Sequence, residues 1–297
     1  MRVTQNLIFD TFLSNIRNNR SESARIQDTL SSGKRVSKAS DDSIAFTNSR
    51  TLLNQGAKEN QYQDNIQAGL NQARTVQDAF DQMIDLLIDV KQTATQGAND
   101  TLSATERSSL STKVTSLKEA ILSQANTEYS GVYLFGGTNT SSPPFSDDPL
   151  APGLIADSST ATPLTIQASD STQVTITVTG TDLRNTASGD LFQILNDLET
   201  ALATNDQPNI NAAIDTVDGA IEHVVTLASN QGNNINRLDY LSEQYELRRI
   251  NREGAVSELV DTDFSEAVLQ IQQYQTTYEA ALAVHSQTTR TSLLDFI

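Results

Sequence analysis

From Gln61 to Thr95 apolar residues recur in alternating steps of four and three: Ile66, Leu70, Ala73, Phe80, Ile84, Leu87 and Ala94, with Gln77 and Lys91 as polar interruptions. That spacing puts them on one stripe of a long helix that can pack along its length against a partner. Gly97 breaks the pattern in "TQGANDTLSATE", where Ser103 or Thr105 can cap a new start, and it resumes at Leu110, Val114, Leu117 and Ile121. A second helix over about 104–128, folded back on the first, is the prediction. A short helix follows from "DLFQILNDLETALAT", and a very long one from about Pro208 to Arg252. In the latter Ile210, Ile214, Val217, Ile221, Val224, Ala228, Ile235, Leu238 and Tyr245 keep heptad spacing, Gln231 and Ser242 fill the polar slots, and the proline suits a first turn. The two ends are helical as well. Leu7, Phe12, Leu13 and Ile16 punctuate residues 3–30, and Phe264, Val268, Ile271, Tyr278 and Leu282 share a stripe near the other end.

The middle reads differently. Glycines and two prolines in "YSGVYLFGGTNTSSPPF" end the helical period, and residues 138 to about 185 are rich in Thr, Ser, Pro and Asp. "PLTIQASDSTQVTITVTG" alternates strictly at Val174, Ile176 and Val178, with "SDST" as a turn, which predicts a small β-rich piece; a Thr-rich loop is the alternative, since so short a segment buries little by itself. Two long helices from opposite halves of the chain can pair only if the middle loops out and returns. The expected fold is therefore mainly α: an elongated helical rod, paired N- and C-terminal coiled-coil helices and a small β-rich tip. The divisions expected are 1–43 with 256–297 for the terminal helices, 44–135 with 186–255 for the rod, and 136–185 for the tip.

Composition fits thin helical layers better than a thick globule, with 37% hydrophobic and 5% aromatic residues and no Trp. The net charge of −17 argues against a nucleic-acid partner and against anionic membrane surfaces. Charge is also uneven: residues 1–40 carry seven bases and three acids, residues 260–297 five acids and one base. That asymmetry biases the two ends toward each other and would equally serve contacts between copies. There are no cysteines, which rules out thiol chemistry and disulfides and suits a chain that travels unfolded. The opening "MRVTQNLIFDTFLSNI" is interrupted by Asn and Asp and lacks a cleavage site, so no secretory signal peptide is expected, and no run of about 18 apolar residues predicts a membrane span.

"SSGKRVSKASDD", residues 31–42, is the one stretch that invites a chemical reading. A phosphate loop needs spaced glycines followed by Lys and Ser or Thr; here one glycine stands alone and Lys34 is followed by Arg35. Asp41 and Asp42 are adjacent, so their side chains diverge, and no third oxygen ligand is near. The plainer reading is a joint. Gly33 ends the terminal helix, Lys34, Arg35 and Lys38 approach its C-terminal dipole or acids on neighbours, and Ser40 or Asp41 caps the helix starting at Ile44. His223 and His285 have no metal-ligand spacing and read as packing or surface residues; Asn99 and Asn139 match the glycosylation pattern by chance. No catalytic residue, metal or cofactor is expected.

"LSSGKRVSKASDDSIAF", Leu30 to Phe46, resembles the segment near the N-terminus of bacterial flagellins in which a terminal helix, a turn and an Asp pair precede the first rod helix. "RINREGAVSELVDTDFSEAVLQIQQYQTTYEAALAV" is similar to the matching C-terminal segment, with its acidic turn at Asp261–Ala267 and its Gln-rich helix. The resemblance spans about 1–135 and 190–297, two distant blocks in the right order. "MRVTQNLIF", "YLFGGTNTSSPPF" and "SLLDFI" resemble the family branch that joins hook to filament more than the filament subunit itself. Many relatives carry proline after the Asp pair, where Ser43 stands here. The resemblance implies a flagellin-like rod and a structural adapter exported unfolded without a cleaved signal. Its implied neighbours are copies of itself, a preceding hook-associated protein, flagellin and an export chaperone. The residues expected to carry assembly are Leu7, Phe12, Leu13, Ile16, Gly33, Lys34, Arg35, Lys38, Asp41, Asp42, Phe264, Val268, Ile271, Tyr278, Leu282, Leu293 and Leu294. Filament flagellin is the nearest rival; a chemoreceptor-like signalling coiled coil is a second, set back by the missing membrane span and the β insertion.

Overall fold

The computed structural model describes the backbone of residues 2–147 and 154–294. Helices account for most of it: α1 (Arg2–Ser32), α2 (Ser43–Gly97), α3 (Ala104–Ala125), the single turn α4 (Gly180–Arg184), α5 (Leu191–Ala203), α6 (Gln207–Val260) and α7 (Phe264–Leu294). Between α3 and α5 lie four two-stranded antiparallel hairpins. They are β1–β2 (Glu128–Tyr129, Val132–Tyr133), β3–β4 (Phe145–Asp147, Ile155–Asp157), β5–β6 (Thr165–Gln167, Gln173–Thr175) and β7–β8 (Asn185–Thr186, Gly189–Asp190). The chain forms two compact units, residues 58–247 and residues 1–57 with 248–297.

In the unit of residues 58–247, α2 and α6 run antiparallel, tied by Arg74–Asp239 at 3.1 Å and Lys91–Asp218 at 2.6 Å. Phe80, Leu87 and Ala94 of the predicted stripe share a core with Ile210, Val217, Val224 and the apolar face of α5; Val76, Met83 and Val90, which the period left out, join them, while Ile84 is only half-buried. Of the two possible caps, Ser103 starts α3, and its hydroxyl and the Glu106 carboxylate form a reciprocal capping box. The backbone N–H of Ser103, followed by its hydroxyl, holds the Glu106 carboxyl below the usual carboxylate range. The tight link between α2 and α3 is organised by Arg107, a residue with no periodic signature. It is 5% exposed and donates to the carbonyls of Gly97 and Asn99, both at 2.9 Å, and to Asn205 Oδ1 at 2.5 Å. It thereby supplies partners to carbonyls that the end of α2 leaves open.

The hairpins have no core of their own. Phe145 and Ile155 of β3–β4 enter the main helical core, Phe145 beside Phe192 with ring centroids 5.1 Å apart. Val174 of β6 and Ile176 just after it form a smaller core with Ile66, Leu70, Leu238 and Tyr245. The "SDST" turn closes as read, with Ala168 and Ser169 N–H donating to Thr172 O. Gly69 lets this hairpin approach α2; a Cβ there would lie 2.6 Å from Ile166 Cδ1. Gln231, one of the predicted polar slots, is fully buried and donates to Ala73 O at 3.1 Å and Ile176 O at 2.8 Å, so one side chain ties α6 both to α2 and to the residue that follows β6.

In the other unit α1 and α7 pack antiparallel, the stacked pair Phe12–His285 at 4.3 Å marking one end. Helix α6 runs past the predicted Arg252 to Val260, because Val256, Leu259 and Val260 continue its apolar face against Val36, Ala45 and Phe46.

Candidate assembly surface

The joint is built from two short segments of the same unit. Gly33 takes a φ of +70° just after α1, a conformation that costs glycine least. Its carbonyl accepts from Thr262 N–H at 2.9 Å, Lys34 pairs with Asp261 as an antiparallel bridge, and the N–H groups of Arg35 and Val36 donate to Val260 O at 2.7 and 3.2 Å. Val36, 2% exposed, fastens this bridge to the Ala45–Val260 cluster. The connection after α1 is thus stitched to the connection after α6.

The charged residues of the joint do different work from that expected of them. Arg35 reaches the C-terminal end of α6, not that of α1: its Nη2 donates to Leu259 O at 2.9 Å, and its Nη1 lies 3.7 Å from Asp42 Oδ2. Lys34 and Lys38 are exposed and make no ion pair among the described residues. The cap of α2 is Asp42, correcting the reading that gave it to Ser40 or Asp41: Asp42 Oδ1 accepts from the N–H groups of Ala45 at 3.0 Å and Ile44 at 3.1 Å. Asp41 instead closes the preceding turn, accepting from the N–H groups of Ser37 and Lys38 and from the Ser37 hydroxyl. These backbone donors, Ser37 and Lys38 for Asp41 and Ala45 foremost for Asp42, hold both carboxyls below the usual carboxylate range. Asp263 caps α7 in the same manner through Ser265 and Glu266.

Above the joint, the seam between α1 and α7 is narrow and polar. Phe12, Ile16, Asn19 and Glu22 face Gln270, Tyr274 and Thr277 across a groove of about 660 Å³. Leu13 and Ile271 are half-buried, as are Phe12 and Ile16. Part of the predicted stripe of α7 stands in solvent: Phe264, Val268 and Leu282 are exposed, as is Leu7 on α1 at 66%, whereas Tyr278, also largely exposed, lines a groove with Asn19, Arg20 and Ser23 of α1. Leu269 at 67% and Ile44 at 74%, which the periodic reading left out, stand in solvent as well. Tyr274, Ala281 and His285 also face α1, His285 continuing the stripe seven positions after Tyr278. The side chains of Leu293 and Leu294 lie outside the described residues. Among the described residues no ion pair joins α1 to α7, and no group of His, Asp and Glu could hold a metal ion. No helix is long and apolar enough to cross a membrane, again among the described residues. His223 Nε2 donates to Asp182 O, 2.7 Å away, on the surface of the other unit.

The paired end helices thus present exposed apolar faces beside a polar joint, with no catalytic constellation among the described residues. Residues 3–140 match the bacterial flagellin N-terminal helical region and residues 214–297 the bacterial flagellin C-terminal helical region. The chain belongs to the bacterial flagellin family. Within it, the chain is 23% identical over 303 residues to flagellar hook-associated protein 3 of Escherichia coli (strain K12), covering 95% of each. Similarity to the flagellin of Clostridium tyrobutyricum, at 29% over 127 residues, takes in 43% of this chain and 34% of that one. The solved structure of the flagellar junction protein of Legionella pneumophila has the same fold, with a TM-score of 0.63 over 72% of this chain and 100% of that one at 12% identity.

Proposed function

We propose that this chain is a structural adapter of the bacterial flagellum, joining a hook-associated protein to the flagellin filament at the hook–filament junction. One observation carries the reading: similarity to hook-associated protein 3 runs through 95% of both chains, including the hairpin region, whereas the flagellin match takes in less than half of either. Its partners are copies of itself, the hook-associated protein laid down before it, flagellin laid down after it, and a chaperone that holds it for export. It acts outside the cell, travels without a cleaved signal, and performs no catalysis. Residues 1–43 with 256–297 carry assembly, and their physical logic is coupled folding. The α1–α7 seam buries few apolar side chains, so the two helices gain most of their stability when neighbouring subunits cover Leu7, Phe264, Val268 and Leu282. Such a chain stays unpolymerised until it reaches a template.

Deletion of the gene tests the role. Cells are expected to keep hooks, lose filaments and release unpolymerised flagellin into the medium; bare hooks with no released flagellin would point to filament subunit instead, as would growth of long filaments from the purified chain. The joint is tested by Lys34→Glu with Lys38→Glu, which spares Arg35 and its bond to α6. Normal helix content with poor motility is expected, and normal motility would remove the joint from the assembly surface.

A further inference from the structure

The start of α2 and the end of α6 enclose a groove of about 390 Å³ beside the joint, wholly inside the unit of the chain ends. Its floor is apolar: Val36, Phe46, Val256 and Val260 form it, and Leu53, half exposed, makes one wall. Ser49 lines it with a small buried side chain whose hydroxyl is spent on Phe46 O at 2.9 Å, so the floor asks nothing polar of an occupant. The rim is positive. Lys34, Arg50 and Arg252 stand against Glu253 and Asp261, and both acids are engaged within the chain, Glu253 by Arg249 Nη1 at 2.7 Å and Asp261 by the Ser257 hydroxyl at 2.5 Å. Lys34 and Arg50 are exposed and form no ion pair among the described residues. Such a groove suits an apolar side chain that carries acids at its flanks.

The same unit presents one. Phe264, the first residue of α7, is 57% exposed, lies between Asp263 and Glu266, and makes no ring contact among the described residues. Both acids are exposed with it, and Asp263 is held at the start of the helix by the N–H groups of Ser265 and Glu266. The other exposed rings that stand next to an acid face the seam of the end helices instead: Phe9, beside Asp10, lies against His285, and Tyr278, beside Glu279, lines a groove with residues of α1. Phe264 comes only three positions after Asp261, yet it is not among the residues that line the groove of its own chain.

We infer that the groove of one copy receives Phe264 of a second copy, with Lys34 and Arg50 of the first meeting Asp263 and Glu266 of the second. Burial of the ring supplies the attraction, and the charges at its flanks fix which way it enters. Groove and ring are different surfaces, so the contact is heterologous: it passes from copy to copy and closes into a ring or runs on as a helix according to the rotation at each step. The inference rests on the proposal that copies assemble through the unit of the chain ends, and gives that assembly a definite pair of faces.

The chain has no cysteine, so engineered thiols are its only ones. In cells lacking the natural gene, copies with Ser257→Cys on the groove rim and copies with Ser265→Cys beside Phe264 are produced together, flagella are isolated, and a short bismaleimide is added. A cross-linked dimer is expected from the mixture and from neither variant alone. Lys34→Glu with Arg50→Glu in the Ser257→Cys copy should remove most of the dimer, and Glu266→Lys in the Ser265→Cys copy should bring it back, with helix content by circular dichroism unchanged throughout. No dimer from flagella that contain both variants, an equal dimer from Ser265→Cys alone, a dimer indifferent to the rim charges, or a product of Ser257→Cys alone with a different flagellar protein overturns the contact. Those results leave the junction role standing, because the chain is still found in the flagella; its absence from isolated flagella overturns both.

Discussion

Phe80, Leu134 and Leu195 are sealed from water in the unit of residues 58–247, whereas Leu7, Phe264 and Leu269, equally apolar, stand in solvent in the unit of the chain ends. The first unit has α3, α5 and four hairpins to close over the paired helices, and its cores take in most of the buried apolar residues. In the second, Ile26, Val36, Ala45, Val260 and Ala267 are the buried apolar residues among those described, and Leu7, Phe9, Phe264, Val268 and Leu269 of α1 and α7 stay exposed. The same two-helix pairing thus yields a self-sufficient fold in one place and an unfinished one in the other. What differs is the supply of covering elements: both helix pairs carry apolar residues beyond their mutual seam, and stability follows from whether the chain provides something to lay on them.

The comparison can be broken at its strongest point first. Phe80→Ala removes a fully buried ring packed edge-on against Phe135 at 5.5 Å and is expected to cost about 3–5 kcal/mol in urea unfolding. A loss no larger than that of an exposed residue would mean that residues 58–247 are not the self-sufficient half. Arg107→Met strips the buried link of three donors and leaves the Gly97 and Asn99 carbonyls without them; about 2–3 kcal/mol should be lost, with the α2–α3 connection becoming the first site of proteolytic nicking.

Leu269→Ala sharpens the contrast from the other side. In the free chain it should change stability by less than about 0.5 kcal/mol, since the side chain is already in water, while incorporation at the hook tip, scored by electron microscopy, falls. Asp42→Ala gives the smallest effect, fraying of the first turn of α2 seen as faster hydrogen exchange at Ile44 and Ala45 with the core amides untouched. Acid should act at the same place. Because the folded-state pKa values of Asp41 and Asp42 are lowered, the stabilisation these carboxylates give is complete above the unfolded value of about 3.9 and is lost as pH falls through the lower folded values. An NMR titration of the two carboxyls with midpoints at or above the ordinary value would contradict the cap geometry.

Period alone located the long helices, because burial of one stripe is a local constraint repeated every three or four residues, and it placed Gln231 and Lys91 at their polar slots. It could not say what a polar slot does: Gln231 binds two backbone carbonyls at the meeting of α2, α6 and the residue after β6, while Lys91 crosses to Asp218 on the surface. Helix boundaries slipped where the deciding partner was distant. Val256, Leu259 and Val260 extend α6 because Val36 and Ala45, more than 200 positions earlier, lie against them. Within the joint, "DD" promised a cap, but which aspartate served which turn depended on where residues 37 and 38 folded.

By itself, then, the sequence determined the stripes, the breaks at Gly33 and Gly97, the flagellin-like ends and the total charge of −17. Only the tertiary structure decided that the hairpins enter the helical core, that Arg35 ties to α6 and Arg107 to the end of α2, and which apolar residues stay uncovered. The reason is physical: a periodic stripe says that a face is to be buried, but whether the covering surface comes from this chain or from another is a property of contacts between residues far apart in sequence, on which local pattern carries no information.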